Sequence, residues 1–318
     1  MYRSATNPAR APFLLTRAKS RMTRNRLPLF SATLLLLTGV FAVMMGTDLS
    51  ALGDLTSYIF LVPLVSLYFL IVERKTIFAD AVYSFAISAG ILAGAALILV
   101  LGLLSVGEMR ISILVLSLVV AWWALFVLFF GKRCAVRALF PLGFLILSVP
   151  LPSAIVIPVE EVLKVCSAWC AWALFGIARI PLIRDGTTFH LTNLSIEVAP
   201  QCSGINSAIS LVITALVAGK MFLRTGSRRV ALVLLALPIA CFKNGCRIFT
   251  LSVIGNYATI DVLHGPLHKQ GGKPFFVLAL VFLGIALWLL GRTEKKRGSA
   301  HGTQHTTDNA QVRGQETW

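Results

Sequence analysis

Apolar stretches long enough to cross a lipid bilayer recur from residue 27 to residue 290, and they leave this chain few possible folds. A helix rises about 1.5 Å per residue, so roughly 20 apolar residues cover a hydrocarbon core about 30 Å thick. Within that core only helices or closed barrels satisfy their own backbone polar groups. Runs of this kind fall at Leu27–Gly46, Ser57–Val72, Ala81–Leu104, Ile111–Phe130, Ala138–Val159, Gly204–Phe222, Val230–Ile254 and Pro274–Leu290. They predict an all-α polytopic membrane protein of about eight transmembrane helices. The second run is short, but Tyr58 and Tyr68 suit the two interfaces and Glu73-Arg74-Lys75 closes it. With 57% hydrophobic and 13% charged residues, the chain lacks the polar surface of a soluble domain.

Basic residues set the orientation. Arg3, Arg10, Arg17, Lys19, Arg21, Arg24 and Arg26 precede the first run, with no acidic residue among them. Alternate loops are likewise basic: Arg74 and Lys75; Lys132, Arg133 and Arg137; Lys220, Arg224, Arg228 and Arg229; then Arg292, Lys295 and Lys296. The positive-inside rule places both termini in the cytoplasm and requires an even number of crossings. The net charge of +16 therefore reads as a topology signal and an attraction to anionic membrane lipids, not as nucleic-acid binding. The chain divides into a basic N-terminus (1–26), a membrane-embedded domain (27–291) and a polar tail (292–318) expected to be cytoplasmic and disordered.

One helical pattern, Glu160–Ile180, has no place in an even count. It is expected to form a small outer-face helix, lying on the surface or re-entering. After it, Ile180–Pro200 carries the turn signal Arg-Asp-Gly and alternating apolar residues, the pattern of a β-hairpin-like cap on the outer surface.

The motif "CSGINS" (Cys202–Ser207) follows directly, so Cys202 falls near the N-terminus of a helix at the outer interface. Exposed N–H groups and the helix dipole favour a thiolate there. Ser203 and Gly204 allow close backbone approach and present further donors, the makings of an oxyanion hole. Packing is the ordinary fate of a membrane cysteine, and Cys134, Cys166, Cys170, Cys241 and Cys246 fit it. In the seventh span, "FKNGCRIF" holds Lys243, Asn244 and Arg247. Snorkelling to the outer headgroups is the expectation for Lys243. Arg247, followed by further apolar residues, is expected to face a partner or a wet cavity. Asn244 and Arg247 are three apart and share a helix face. The last outer loop offers His264 and His268 before the final span. A cysteine, an arginine and a histidine from three different spans thus reach one side of the membrane, a complete set for thiol acyl transfer.

At these residues the chain resembles the exosortase/archaeosortase family of transmembrane cysteine transpeptidases, over roughly Tyr58 to Phe276. The resemblance rests on "CSGINS", on Asn-x-x-Arg (Asn244, Arg247), on His-x-x-x-Gly (His268, Gly272) and on "LFPLGFLILSVPLP" (Leu139–Pro152). It implies a divergent member without the C-terminal domain fused to some others, with Cys202 as nucleophile and Arg247 and His268 as its partners. It also implies a protease/transpeptidase of the bacterial inner (plasma) membrane with its active site on the periplasmic side. Its substrates would be exported proteins whose C-terminus carries a short motif such as Pro-Glu-Pro, a transmembrane helix and basic residues, linked to surface protein sorting or exopolysaccharide production. No metal or organic cofactor is expected. The alternative is a non-catalytic membrane transporter or exopolysaccharide assembly factor, although no paired halves of the kind inverted repeats produce are visible.

Overall fold

The structure is a computed structural model that describes residues 26, 28–40, 42–43, 56–198, 204–257 and 272–315. The chain divides into two compact units, Met1–Ser153 and Ala154–Trp318.

The first unit holds α1 (Pro28–Val40), α2 (Thr56–Val72), α3 (Phe85–Leu104), α4 (Gly107–Arg137) and the short α5 (Leu139–Phe144), which a 3-10 turn extends to Ser148. Helices α3 and α4 pack side by side, and the Ser88 hydroxyl donates to the Ala124 carbonyl at 2.8 Å. Gly131 opens the end of α4. Its φ of 82° lies in the left-handed region, and a Cβ there would lie 2.5 Å from the Val82 carbonyl oxygen, so both backbone and space demand glycine. The opened turn leaves the Phe130 and Leu128 carbonyls free to accept from the Val82 and Ser84 amides, each at 3.2 Å. Phe126, Phe129 and Phe130 form the adjoining core with Phe30, Phe78 and Tyr83.

The second unit holds α6 (Ser153–Ile177), β1 (Ile183–Asp185), β2 (Thr188–His190), β3 (Ser195–Glu197), α7 (Ile205–Phe222), α8 (Gly226–Tyr257) and α9 (Gly272–Gln315). Helices α7 and α8 form an antiparallel pair: Gly219 approaches Arg229 at one end, and Gly204 approaches Asn244 near the other. Because α8 is much longer than α7, it runs on past the start of α7 to Tyr257. Helix α9 packs against both, through Phe276, Ala279 and Leu283. Its Glu294 carboxylate accepts from the Arg224 and Thr225 amides in the α7–α8 turn at 3.1 and 2.7 Å.

Helix α6 runs parallel to the second half of α8. Gly245 meets Cys170, a Cβ on it falling 2.5 Å from the Cys170 Cβ, and the Phe175 and Phe249 rings lie 5.0 Å apart. This is the close backbone contact through a small residue that membrane helices use in place of a hydrophobic driving force.

The three strands form an antiparallel sheet in the order β1-β2-β3. Phe189, Leu191 and Val198 beneath it pack with Ala168, Ala171 and Phe175 of α6 and Ile248 of α8. The predicted hairpin is therefore present, with a third strand added after the Thr192-Asn193 turn.

Two boundaries differ from the sequence reading. The run Ala138–Val159 is not one helix. It breaks at 149–152, where Pro150 and Pro152 each remove a backbone donor, and Glu160–Ile177 belongs to α6 rather than to a separate outer-face helix. Residues 139–148 would span only about 15 Å as helix, too short to cross alone. The second difference is α9, which continues through the polar stretch read as a disordered tail; no proline follows Pro274 to stop it. Among the described residues, 5 helices are long and apolar enough to cross a membrane. The number rises to 6 if Leu139–Ser148 and Ser153–Ile177 count as one broken span, and Pro28–Val40 and Leu61–Val72 are shorter apolar helices. Eight is reached only by counting these two as crossings.

Candidate functional site

Cys202 and Ser203 lie in 199–203, and His264 and His268 in 258–271, all outside the described residues. The structure does describe the residues that flank Cys202 and the helix it leads to.

Gly204 is the N-cap of α7, with φ 77° and ψ 17°. A Cβ at this position would lie 3.1 Å from both Cγ and Oδ1 of Asn244. Glycine is required twice here, by the left-handed backbone and by the carboxamide pressed against it.

On the upstream side, the last described residue is Val198. It is fully buried, in one cluster with Ile248 of α8. The sheet that delivers Val198 is itself fastened to the end of α8. The Asn193 amide donates to Asn256 Oδ1 at 3.0 Å, and Asn193 Nδ2 donates to the Asn256 carbonyl at 3.3 Å. Arg184, paired with Phe189 across β1 and β2, lies on the same face, its guanidinium 4.3 Å above the Trp169 ring of α6. The described residues on either side of 199–203 thus both lie by α8, Gly204 against Asn244 and Val198 in the cluster of Ile248. Asn244 and Ile248 are one helical turn apart, and Arg247 lies between them.

Asn244 is buried, with 1% of its surface exposed, and Arg247 is half-buried. Both occupy the middle of a long apolar helix, where a charged or amide group needs a partner or a polar cavity. The structure brings Gly204 against Asn244, and Arg247 follows three residues further along α8.

Lys243 departs from expectation. It does not snorkel to a headgroup layer. It is 3% exposed, and its Nζ donates to the Ser207 hydroxyl in the first turn of α7. Ser207 in turn donates to the Gly204 carbonyl at 2.8 Å. The antiparallel neighbour supplies an acceptor in place of water, which is why the ammonium turns inward. The spacing Lys243-x-x-x-Arg247 was the available signal, since residues four apart share a helix face. The Asn193–Asn256 clamp had no comparable signal, because it joins two asparagines 63 residues apart.

The remaining described cysteines are free thiols. Cys166 and Cys170 of α6 gather with Cys241 and Cys246 of α8 at the contact of the two helices. Cys134 is buried in the first unit.

The family model described as Transmembrane exosortase (Exosortase_EpsH) matches residues 50–285. No curated protein and no solved structure matches the chain. The match spans most of the chain, including both flanks of Cys202, α6 to α8 and the start of α9. The protein belongs to the transmembrane exosortase family, membrane-embedded sorting transpeptidases.

Proposed function

We propose that this exosortase is a cysteine transpeptidase that cleaves C-terminal sorting signals of exported proteins at the outer, periplasmic face of the bacterial inner membrane, with Cys202, Arg247 and His268 as its catalytic residues. The observation that supports the reading concerns the described residues that flank 199–203: Gly204 lies against the buried Asn244 of α8, and Val198 shares a core cluster with Ile248 of the same helix.

In the proposed reaction the Cys202 thiolate attacks a peptide carbonyl just outside the membrane. A C–S bond forms and the carbonyl oxygen takes up the negative charge. Arg247 and the backbone N–H groups around Ser203 and Gly204 face that oxyanion, with Asn244 holding the turn in place. Collapse of the intermediate breaks the C–N bond, and His268 gives its proton to the leaving amine. An acceptor amine or water then attacks the thioester, breaks the C–S bond and returns a proton to His268. The substrate's own transmembrane helix would bring its cleavage motif to the level of this turn, and its basic tail would remain on the cytoplasmic side with the basic loops of the enzyme.

The test is co-expression with an exported protein bearing a motif, a transmembrane helix and a basic tail. Wild type should shorten the substrate and pass through a thioacyl adduct on Cys202. Cys202→Ala should insert at normal abundance and leave the substrate full-length. Processing by Cys202→Ala would show that another residue is the nucleophile.

A further inference from the structure

We propose that Arg184, with the exposed indoles of Trp169 and Trp172, forms a substrate-reading site that takes a carboxylate side chain from an extended peptide. The inference rests on this chain being a transpeptidase of sorting signals, and it names what such a signal must present.

Arg184 is the middle residue of β1 and pairs with Phe189 of β2. Its guanidinium lies 4.3 Å over the Trp169 ring and 6.0 Å from the Trp172 and Phe189 rings. Its Nε donates to the Gly186 carbonyl in the β1–β2 turn at 2.8 Å. One nitrogen and the ring contacts thus hold the side chain in place. Attraction to a ring face uses up no acceptor, so the remaining donors stay available. Those donors are the two Nη groups, a planar fork that fits a carboxylate bidentately. Among the described residues neither Nη has a hydrogen-bond partner, and no carboxylate pairs with Arg184. The nearest acids in the sheet are turned away. Asp185 follows Arg184 along β1 and so stands on the opposite face, and Glu197 shares that face through the Asp185–Thr188–Glu197 row.

The rings supply an apolar neighbour for the cation. Trp169 and Trp172 are three apart on α6 and meet edge to face at 5.5 Å. They are 55% and 46% exposed, whereas Phe189 is fully buried and belongs to the core. Tryptophan and arginine are the residue types enriched where proteins take hold of partners. Strand β1 is also an edge strand, pairing only with β2 among the described residues. An open edge offers main-chain donors and acceptors to an extended chain laid beside it. A lipid phosphate matches the cation but has no backbone to lay along the strand, so the edge favours a peptide. The sheet is fastened to α8 through Asn193 and Asn256, so the reading site shares a framework with Arg247.

The experiment measures specificity by co-expression with two exported substrates whose tail motifs differ in one residue, glutamate or glutamine. Wild type should shorten the glutamate tail faster by about tenfold or more, the factor expected for a hydrogen bond to a charged group. Arg184→Gln should lose that preference and process both tails at the wild-type rate for glutamine. Arg184→Glu should invert it, favouring a tail with lysine at the same position. Should Arg184→Gln fail to accumulate, Arg184→Lys is read instead, since it keeps the charge without the fork and should narrow the preference. Equal rates on the two tails in wild type, or an unchanged preference in the Arg184 variants, overturns the inference. A variant that slows both tails equally and inserts poorly marks the cluster as a headgroup anchor, which also overturns it. Cys202→Ala runs in parallel: if it blocks shortening while wild type shows no preference, the reading site alone fails. Shortening by Cys202→Ala sinks the nucleophile assignment, and no shortening by wild type sinks the transpeptidase reading together with this inference.

Discussion

Gly204→Ala probes how the first turn of α7 is built, because two separable costs meet at one atom. The first is conformational. At φ 77° a residue with a Cβ pays about 1–2 kcal/mol for the left-handed backbone. The second is contact. The new Cβ would lie 3.1 Å from Asn244 Cγ and Oδ1 and 3.5 Å from Nδ2. Carbon atoms prefer about 3.5–4.0 Å, so something must move by a few tenths of an ångström. Asn244, at 1% exposed, has no solvent to swing into, and overpacking of this kind costs about 1–3 kcal/mol. The sum is about 2–5 kcal/mol.

Gly186→Ala supplies the control. Gly186 has φ 57° in the β1–β2 turn, but a Cβ there meets nothing within 4 Å, so only the first cost applies. Thermal unfolding in detergent, followed by loss of the monodisperse peak on size exclusion, should rank Gly204→Ala below Gly186→Ala by several degrees, at about 2–4 °C per kcal/mol. In an Asn244→Ala background the penalty of Gly204→Ala should fall toward that of Gly186→Ala, since contacting residues are the ones that fail to add. Equal penalties for the two glycine substitutions, or an unchanged Gly204→Ala penalty without the Asn244 carboxamide, would refute the claim that Asn244 presses on the N-cap.

Two further outcomes follow from the same geometry. Gly245→Ala places a Cβ 2.5 Å from the Cys170 Cβ and 3.0 Å from the Ala171 backbone nitrogen, so it should destabilise by at least about 1–3 kcal/mol. Cys170→Ala should not relieve it, because the clashing atom remains; a wild-type unfolding temperature for Gly245→Ala would show that α6 and α8 are not in contact there. His268→Ala should accumulate unprocessed substrate, with a rate loss of about 10²–10⁴, while His264→Ala processes near normally, as followed by substrate shortening. The reverse pattern would move the acid/base role to His264.

The membrane class of this fold is legible in the sequence because lipid imposes one rule on every span: a length of apolar helix. That rule fails where helices break. Val149–Pro152 reads as the interior of a continuous apolar run, and hydropathy gives prolines no weight as breakers, so one run is drawn where the structure has two helices and Glu160–Ile177 is read apart from the helix it continues. The sheet is legible as a hairpin from its alternation, whereas its third strand is three residues of mixed polarity and is held by pairing to β2 rather than by pattern.

The site divides along the same line. Gly204, Asn244 and Arg247 are visible because glycine at a helix start and polar groups in an apolar helix are each improbable without a reason. Lys243 is improbable for the same reason, yet its environment is set by Ser207, 36 residues away on an antiparallel neighbour. Snorkelling is the lowest-energy choice for a lysine on an isolated helix, and only tertiary contact reverses it. The apolar length of a span fixes how many helices there are. The polar residues of α8 fix which neighbours they must meet, and a buried cation is informative because the helix alone would have sent it elsewhere.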